Sequence, residues 1–135
     1  MVGLVLISHG EMGKCVLKSA ELIAGTQENI ATASLMPEES PESFQEKMLA
    51  AIASVNAEEG LLVLCDLGGG TPWISAAVLS RQRKLECLAG MNLPMLLEIL
   101  MTRPSGASLQ ELLELGETSG KAGIISLSRM LEQAE

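Results

Sequence analysis

Two uninterrupted apolar segments, each closed by polar and glycine residues, constrain the fold of this chain most strongly. Residues 2–7 are apolar with one glycine among them and end at Ser-His-Gly, and residues 61–65 are apolar throughout and end at Asp66. Short runs bounded by turn residues are typical of strands that are buried on both faces. Such strands occur in parallel sheets that helices cover on both sides. The chain is therefore predicted to fold around a parallel sheet.

Helical patterns separate the strand candidates from one another. The residues that recur at helical spacing in the first helix are Met12, Cys15, Val16, Ser19, Leu22 and Ile23. Gly25 ends this helix, whereas Ser40 and Ser108 are capping residues that begin later ones, the second within a capping box. Thr71 is predicted to be the N-cap of a third helix, with Pro72 at its first helical position.

Weaker strand candidates complete the pattern. They are residues 30–35, 85–91 and 122–127, and a short helical tail follows the last of them. The order is βαβαβαβα followed by a helix and a final strand, which predicts an α/β three-layer sandwich with a mostly parallel sheet. The chain has no internal repeat, charge block or linker, so residues 1–135 are predicted to form a single domain.

The composition restricts the classes of macromolecule that the chain is expected to bind. The net charge of −8, from 17 acidic and 9 basic residues, disfavours nucleic acid and anionic membranes and favours a basic patch on another protein. Phe44 and Trp73 are the two aromatic residues, too few for the stacking platforms that bind single-stranded nucleic acid. No apolar stretch approaches the roughly 18 residues of a spanning helix. The N-terminal run lacks a preceding basic region and is predicted to be a strand rather than a signal peptide.

The cysteines indicate a reducing compartment. Cys15, Cys65 and Cys87 are scattered, show no C-x-x-C pairing and lie in apolar sequence, so they are interpreted as small buried hydrophobic residues. One histidine and dispersed cysteines do not match the ligand spacing of zinc sites. We therefore expect no metal site and no cofactor, and we predict a cytoplasmic protein.

His9 and Asp66 are the residues with chemical capacity at predicted strand ends. In open α/β sheets, ligands bind beyond the carboxyl ends of the strands, near the point where the strand order reverses. The residues do not force the strand order, but an order of 2-1-3-4 would bring His9 and Asp66 together. A carboxylate that accepts a hydrogen bond from one ring nitrogen leaves the other nitrogen free to attack phosphorus. A structural or surface histidine and a turn-forming aspartate remain the alternatives.

The glycine run after Asp66 is the candidate phosphate site. Gly69, Gly70 and Thr71 are the predicted phosphate-binding residues, because glycine lets backbone N–H groups approach an anion and a helix start adds positive potential. The segment lacks the lysine and the spacing of a Walker A loop, which argues against ATP hydrolysis. A glycine-rich turn that serves packing alone is the structural alternative.

Three motifs, which occur in order over nearly the whole chain, resemble the mannose-family (mannose/fructose/sorbose) IIA component of the bacterial phosphoenolpyruvate-dependent sugar phosphotransferase system. They are S-H-G after the first strand, D-x-x-G-G-[ST]-P after the third and G-x-N-x-P-M-L after the fourth. The resemblance implies that His9 accepts phosphate from the carrier HPr and passes it to a IIB subunit during sugar uptake. It also implies that Asp66 orients the imidazole and that Thr71 lies at the phosphate.

The resemblance further implies how the chain assembles. Family members are homodimers in which the last strand, here residues 122–127, crosses to the partner and pairs antiparallel at the edge of the sheet. Membrane IIC and IID subunits would be indirect partners. The chain ends without the linker and IIB domain that some relatives append, so we expect a free-standing IIA subunit.

Some residues depart from the family pattern and leave other functions open. Glu11 and Leu67-Gly68 stand where several relatives carry aromatic residues, which leaves partner docking and the sugar branch undetermined. A phosphoryl donor to dihydroxyacetone kinase is the nearest alternative. A flavodoxin-like module that binds an anion without transfer is a second. A receiver-like aspartyl-phosphate switch is disfavoured because the first strand does not end in the acidic pair that magnesium requires.

Overall fold

The computed structural model describes residues 1–134, which form four strands, six α-helices and one 3₁₀ turn. The strands are β1 (Gly3–His9), β2 (Ile30–Leu35), β3 (Leu61–Cys65) and β4 (Glu86–Ala89). The helices are α1 (Met12–Ala24), α2 (Pro41–Ala53), α3 (Gly70–Ser80), α4 (Leu93–Thr102), α5 (Leu109–Ala122) and α6 (Leu127–Gln133), and the 3₁₀ turn (Arg103–Ser105) follows α4.

The strands form one parallel sheet in the order β2-β1-β3-β4. This result confirms the predicted α/β class and the order 2-1-3-4. β1 lies between β2 and β3, with Ile7 opposite Ala33 on one side and opposite Cys65 on the other. The chain leaves β1 toward one edge of the sheet and later returns to its other side, so the strand order reverses between β1 and β3.

Two hydrophobic cores lie on the two faces of the sheet. On one face, α2 and α3 contribute Phe44 and Leu79, which pack in the cluster that contains Val63. On the other face, Leu96 of α4 and Leu112 of α5 belong to the second cluster, together with residues from α1 and the alternate strand positions. The alternation of side chains along each strand explains why the apolar runs are uninterrupted, since both faces need apolar residues.

Local signals placed several element boundaries correctly. The second and third strands have the predicted bounds, and Gly25 follows the end of α1. Ser40 caps α2 through the Ser43 N–H, and Ser108 caps α5 in a capping box with Glu111. These elements were predictable because each depends on residues that are close in sequence.

Two boundaries at the third helix and fourth strand were wrong. α3 begins at Gly70 with Gly69 in the N-cap position, so Thr71 lies inside the helix and makes no capping hydrogen bond. The chain turns earlier than predicted because Gly70 adopts a φ of +80°, a conformation that glycine accepts readily. β4 is also shorter than predicted, because its pairing with β3 extends only from Glu86 to Ala89.

The predicted strand at residues 122–127 is not formed in the single chain. α5 continues to Ala122, residues 123–126 lie between helices, and α6 begins at Leu127. A strand needs a neighbouring strand to pair with its N–H and C=O groups, and the segment is not paired with any strand of this chain's own sheet. Ile124 and Ile125 are left 80% and 67% exposed.

The burial of Cys15 was also predicted wrongly. Cys65 is buried and Cys87 is partly buried, as expected, but Cys15 is exposed. The side of α1 that faces the sheet carries the small residues Gly13 and Ala20, and a Cβ on Gly13 would lie only 3.3 Å from that of Leu6. Cys15 is two residues from Gly13, which places it on the opposite side of the helix.

A fully buried arginine was not anticipated from the sequence. Arg103, at the end of α4, is 0% exposed and reaches beneath the amino ends of β1 and β2. Its Nη1 donates to the carbonyl oxygens of Val2 at 3.1 Å and Asn29 at 2.8 Å, and its Nη2 donates to that of Glu28 at 2.5 Å. No local pattern marks such a residue, because all three acceptors are distant in sequence.

Across residues 1–134, none of the helices has the length and apolar character needed to cross a bilayer.

Candidate functional site

The candidate site lies at the carboxyl ends of β1 and β3. His9 is the last residue of β1, and Asp66 directly follows β3. Because these strands are neighbours, their ends meet at the point where the strand order reverses. The predicted pair is therefore brought together by pairing between segments that are 57 residues apart in sequence.

Asp66 holds His9 through one carboxylate oxygen. Oδ2 accepts a hydrogen bond from the His9 backbone N–H at 2.9 Å and lies 3.0 Å from Nδ1 of the ring. The Asp66 side chain is only 10% exposed, whereas the His9 side chain is 46% exposed. The carboxylate is thus shielded behind the ring, and the ring is open to solvent and to a partner.

The hydrogen bond decides which ring nitrogen is available for chemistry. An ionised carboxylate only accepts hydrogen bonds, so Nδ1 carries the proton and Nε2 carries the lone pair of the neutral ring. Nε2 faces Gly70 at the start of α3, where a Cβ would lie 2.9 Å from it. The free nucleophilic atom of His9 is therefore directed toward the glycine run and the amino end of a helix.

Hydrogen bonding also keeps Asp66 ionised. Burial by itself would raise the pKa of Asp66, but the hydrogen bonds from the His9 N–H and ring outweigh it, and the pKa is lowered below its ordinary value of 3.8. A carboxylate that stays charged at neutral pH stabilises the positive charge that develops on an imidazole when its second nitrogen forms a bond.

The three predicted phosphate-binding residues differ in what they contribute to the site. Gly70 contacts the His9 ring, and within residues 1–134 the N–H groups of Gly70 and Thr71 have no acceptor. Gly69, in contrast, donates its N–H to the carbonyl oxygen of Leu67 at 2.9 Å, so this group is already engaged in the turn. Gly69 and Thr71 are therefore placed beside the site by their connection to Gly70, and of the two glycines Gly70 is the one that lies against the ring.

Sequence reasoning missed a polar role for Cys65. Its thiol is fully buried beneath the site, 3.3 Å from the carbonyl oxygen of Leu67 and 3.6 Å from Oδ1 of Asp66. Burial raises the pKa of this thiol to about 11, so it remains protonated and donates a hydrogen bond. The residue was interpreted as a small hydrophobic residue, and its position directly before Asp66 was the one signal of a further contact.

Among residues 1–134, no group of three His, Cys, Asp or Glu side chains is arranged to hold a metal ion.

Sequence comparison relates the chain to sugar phosphotransferase proteins. Residues 3–115 match the family model EIIA-man, described as PTS system fructose IIA component. The chain is 35% identical over 127 residues to the PTS system mannose-specific EIIAB component of Escherichia coli, an alignment that covers 93% of this chain and 39% of that protein. It is 32% identical over 104 residues to the fructose-specific EIIA component of Bacillus subtilis, covering 76% of this chain and 71% of the relative.

Structural comparison agrees with the sequence. Phosphotransferase system component EIIA from Streptococcus agalactiae superposes with a TM-score of 0.87 at 30% identity, covering 96% of this chain and 99% of that one. The mannose/sorbose-specific IIA subunit from Enterococcus faecalis gives a TM-score of 0.81 at 31% identity, with 93% and 94% covered. The chain spans well under half of the E. coli EIIAB protein but nearly the full length of these two solved chains.

Proposed function

Because the chain belongs to the family of PTS system fructose IIA components, we propose that it carries a phosphoryl group on Nε2 of His9, received from HPr and passed to a IIB subunit. The observation that carries this proposal is the hydrogen bond between Nδ1 of His9 and Asp66, at 3.0 Å, which leaves Nε2 unprotonated on a ring that is partly exposed. Transfer would serve sugar uptake through membrane IIC and IID subunits, with this chain in the cytoplasm.

The proposed transfer follows from the positions of three groups. The lone pair of Nε2 attacks phosphorus on phosphorylated HPr, and the bond between phosphorus and its donor atom on HPr breaks as the new P–N bond forms. The His9 ring gains positive charge in this step, and Asp66 stabilises it through Nδ1–H. The free N–H groups of Gly70 and Thr71, at the amino end of α3, would bind the phosphoryl oxygens. The phosphoryl group then passes to IIB by the same kind of step, in which a group of IIB attacks phosphorus and the P–Nε2 bond breaks.

Exposed apolar residues near the site support docking of a protein donor. Leu67, next to Asp66, is 58% exposed, and Ile74 on α3 is 59% exposed. Apolar side chains at a functional edge are typical of protein contact surfaces. The net charge of −8 would attract a basic partner surface.

Phosphorylation in a reconstituted system tests the proposal. The protein is incubated with phosphoenolpyruvate, the general phosphotransferase enzyme and HPr, and the product is assayed for acid-labile, base-stable phosphate. We expect one phosphate per chain in the native protein and none in His9→Gln. Asp66→Asn should fold but accept phosphate about 100-fold more slowly or worse, because the ring loses its orienting anion.

The same assay distinguishes the competing functions. A module that only binds anions would take up no covalent phosphate, and its affinity for inorganic phosphate would be unchanged in His9→Gln. Normal labelling of His9→Gln would show that the phosphorylated residue is elsewhere and would refute the proposal. Addition of dihydroxyacetone kinase in place of a IIB subunit tests the alternative acceptor.

We also propose that the protein is a homodimer in which residues 122–127 pair with the sheet edge of a second copy. β4 is one of the two edge strands of the sheet, and it is flanked by two grooves of about 280 Å³ and 390 Å³ that share Trp73 and Cys87. Ile124 and Ile125 are exposed in the single chain, and pairing at β4 would cover them.

Analytical ultracentrifugation tests this assembly. The native protein should sediment as a dimer, and Ile125→Asp should shift it to monomer. Leu22→Asp is the control, because Leu22 is an exposed apolar residue, 89% against 67% for Ile125, that lies on α1, away from β4. A native monomer, or equal effects of the two substitutions, would contradict the proposed interface.

A further inference from the structure

The hydroxyl of Ser8 is buried directly behind His9. Ser8 is 0% exposed although it is the residue next to an open histidine. Side chains alternate along a strand, so Ser8 points to the face of the sheet that carries Leu6, and the His9 side chain leaves on the other face. Burial of a hydroxyl is unfavourable unless it forms hydrogen bonds, so its partners indicate what it does.

Ser8 uses its hydroxyl as both donor and acceptor. Oγ donates to the carbonyl oxygen of Gly10 at 2.9 Å and accepts from the N–H of Gly13, also at 2.9 Å. Glu11, in the N-cap position of α1, makes no side-chain capping bond. Ser8 therefore satisfies an N–H group in the first turn of α1 in place of the usual cap.

These bonds close the turn that begins with His9. Gly10 has a φ of +59°, and its N–H donates to the carbonyl oxygen of Leu35 at 2.7 Å. Gly13 is packed so closely on Leu6 that a Cβ would lie 3.3 Å from the Leu6 side chain. The turn is thus held to β2 by the Gly10 N–H and to β1 by the packing of Gly13 on Leu6. Ser8 Oγ links these two attachments, because it bonds to both glycines.

We propose that Ser8 is a positioning residue for the phosphoryl transfer proposed above: its hydroxyl holds the turn after β1 so that Nδ1 of His9 meets Asp66 and Nε2 faces Gly70. Without the hydroxyl, the Gly10 carbonyl and the Gly13 N–H need other partners, and the turn can relax. The ring then loses its alignment with the carboxylate and with the start of α3. The inference rests on the proposed function for its kinetic consequence, but the alignment itself is a property of the free protein.

The ring tautomer of His9 is the direct measure of this alignment. His9 is the only histidine in the chain, so the ¹⁵N NMR signals of its ring need no further assignment. The native protein should show the Nδ1–H tautomer alone. Ser8→Ala and the nearly isosteric Ser8→Cys should show a mixture of tautomers, and phosphate uptake from HPr should fall about 10-fold or more, the loss expected from a small misplacement of a reacting group. Ser8→Thr, which keeps the hydroxyl, should restore the single tautomer and the rate.

Ser40→Ala is the matched control. It also removes a hydroxyl that caps a helix, at α2, and should lower stability without changing the His9 tautomer or the rate. If Ser8→Ala does not fold, Ser8→Cys decides the question. A single Nδ1–H tautomer and a native rate in folded Ser8→Cys or Ser8→Ala, or a mixed tautomer in folded Ser8→Thr, would overturn the inference. A native protein that takes no phosphate from HPr would refute the proposed function alone, because the tautomer measurement does not depend on transfer.

Discussion

Replacement of Arg103 by methionine removes three hydrogen bonds at the end of the sheet opposite to the candidate site. The guanidinium is fully buried and donates to the carbonyl oxygens of Val2, Glu28 and Asn29, which lie at the amino ends of β1 and β2. No carboxylate partners it among residues 1–134, and its Nε has no acceptor there. The residue therefore holds two strands through backbone groups alone.

The size of the effect follows from opposing contributions. Hydrogen bonds from a charged donor each contribute about 1.5–3 kcal/mol to stability, so three of them set an upper limit. Burial of the guanidinium opposes this gain, and the same burial lowers the pKa of Arg103 below its ordinary value. Two of the three hydrogen bonds are only partly buried, so water can replace part of what is lost. We expect Arg103→Met to reduce the free energy of unfolding by about 2–4 kcal/mol.

Urea unfolding measures this loss. With a slope of about 2 kcal/mol per molar, the unfolding midpoint should fall by about 1–2 M. Arg103→Lys should lie between the native protein and Arg103→Met, because one compact ammonium cannot span three separate carbonyl oxygens. Phosphorylation of His9 should be unchanged in the folded variants. A loss below about 0.5 kcal/mol for Arg103→Met would refute the view that these bonds stabilise the sheet.

Three further predictions concern the site and the thiols. Gly70→Ala should slow phosphorylation at least 10-fold, because φ at this position is +80° and a Cβ would lie 2.9 Å from Nε2 of His9. Gly69→Ala should react normally, because a Cβ at Gly69 would have no atom within 4 Å. Equal rates for the two variants would contradict the assigned contact. Asp66 has a pKa lowered from 3.8 in the folded protein. The stability that this carboxylate contributes is therefore present above pH 3.8 and is lost as the pH falls through the lower, folded-state pKa. The free energies of unfolding of Asp66→Asn and the native protein, measured in urea, should differ most at neutral pH and converge in acid. A thiol reagent should label Cys15 rapidly, Cys87 more slowly because it is partly buried, and Cys65 only after unfolding. Rapid labelling of Cys65 in the folded protein would show that the strands open.

The secondary structure was largely predictable because its signals are local. The apolar run of residues 61–65 and the capping box at Ser108 each determine one element from neighbouring residues. Residues 122–127 form no strand in the single chain, because the predicted pairing needs the sheet edge of a second copy, and that pairing stays a prediction. The prediction was wrong for Cys15, because the side of α1 that meets the sheet is selected by how closely Gly13 packs on Leu6.

The amino-acid sequence alone determined that a histidine and an aspartate lie at the ends of two buried strands, since burial and turn patterns mark where a strand stops. Only the tertiary structure decided that these strands are neighbours, that Nδ1 of His9 bonds to Asp66, and that Nε2 faces Gly70. The buried network around Arg103 also appears only there. The physical reason is that local patterns record which residues avoid water, whereas the pairing of distant segments depends on how all the elements pack together.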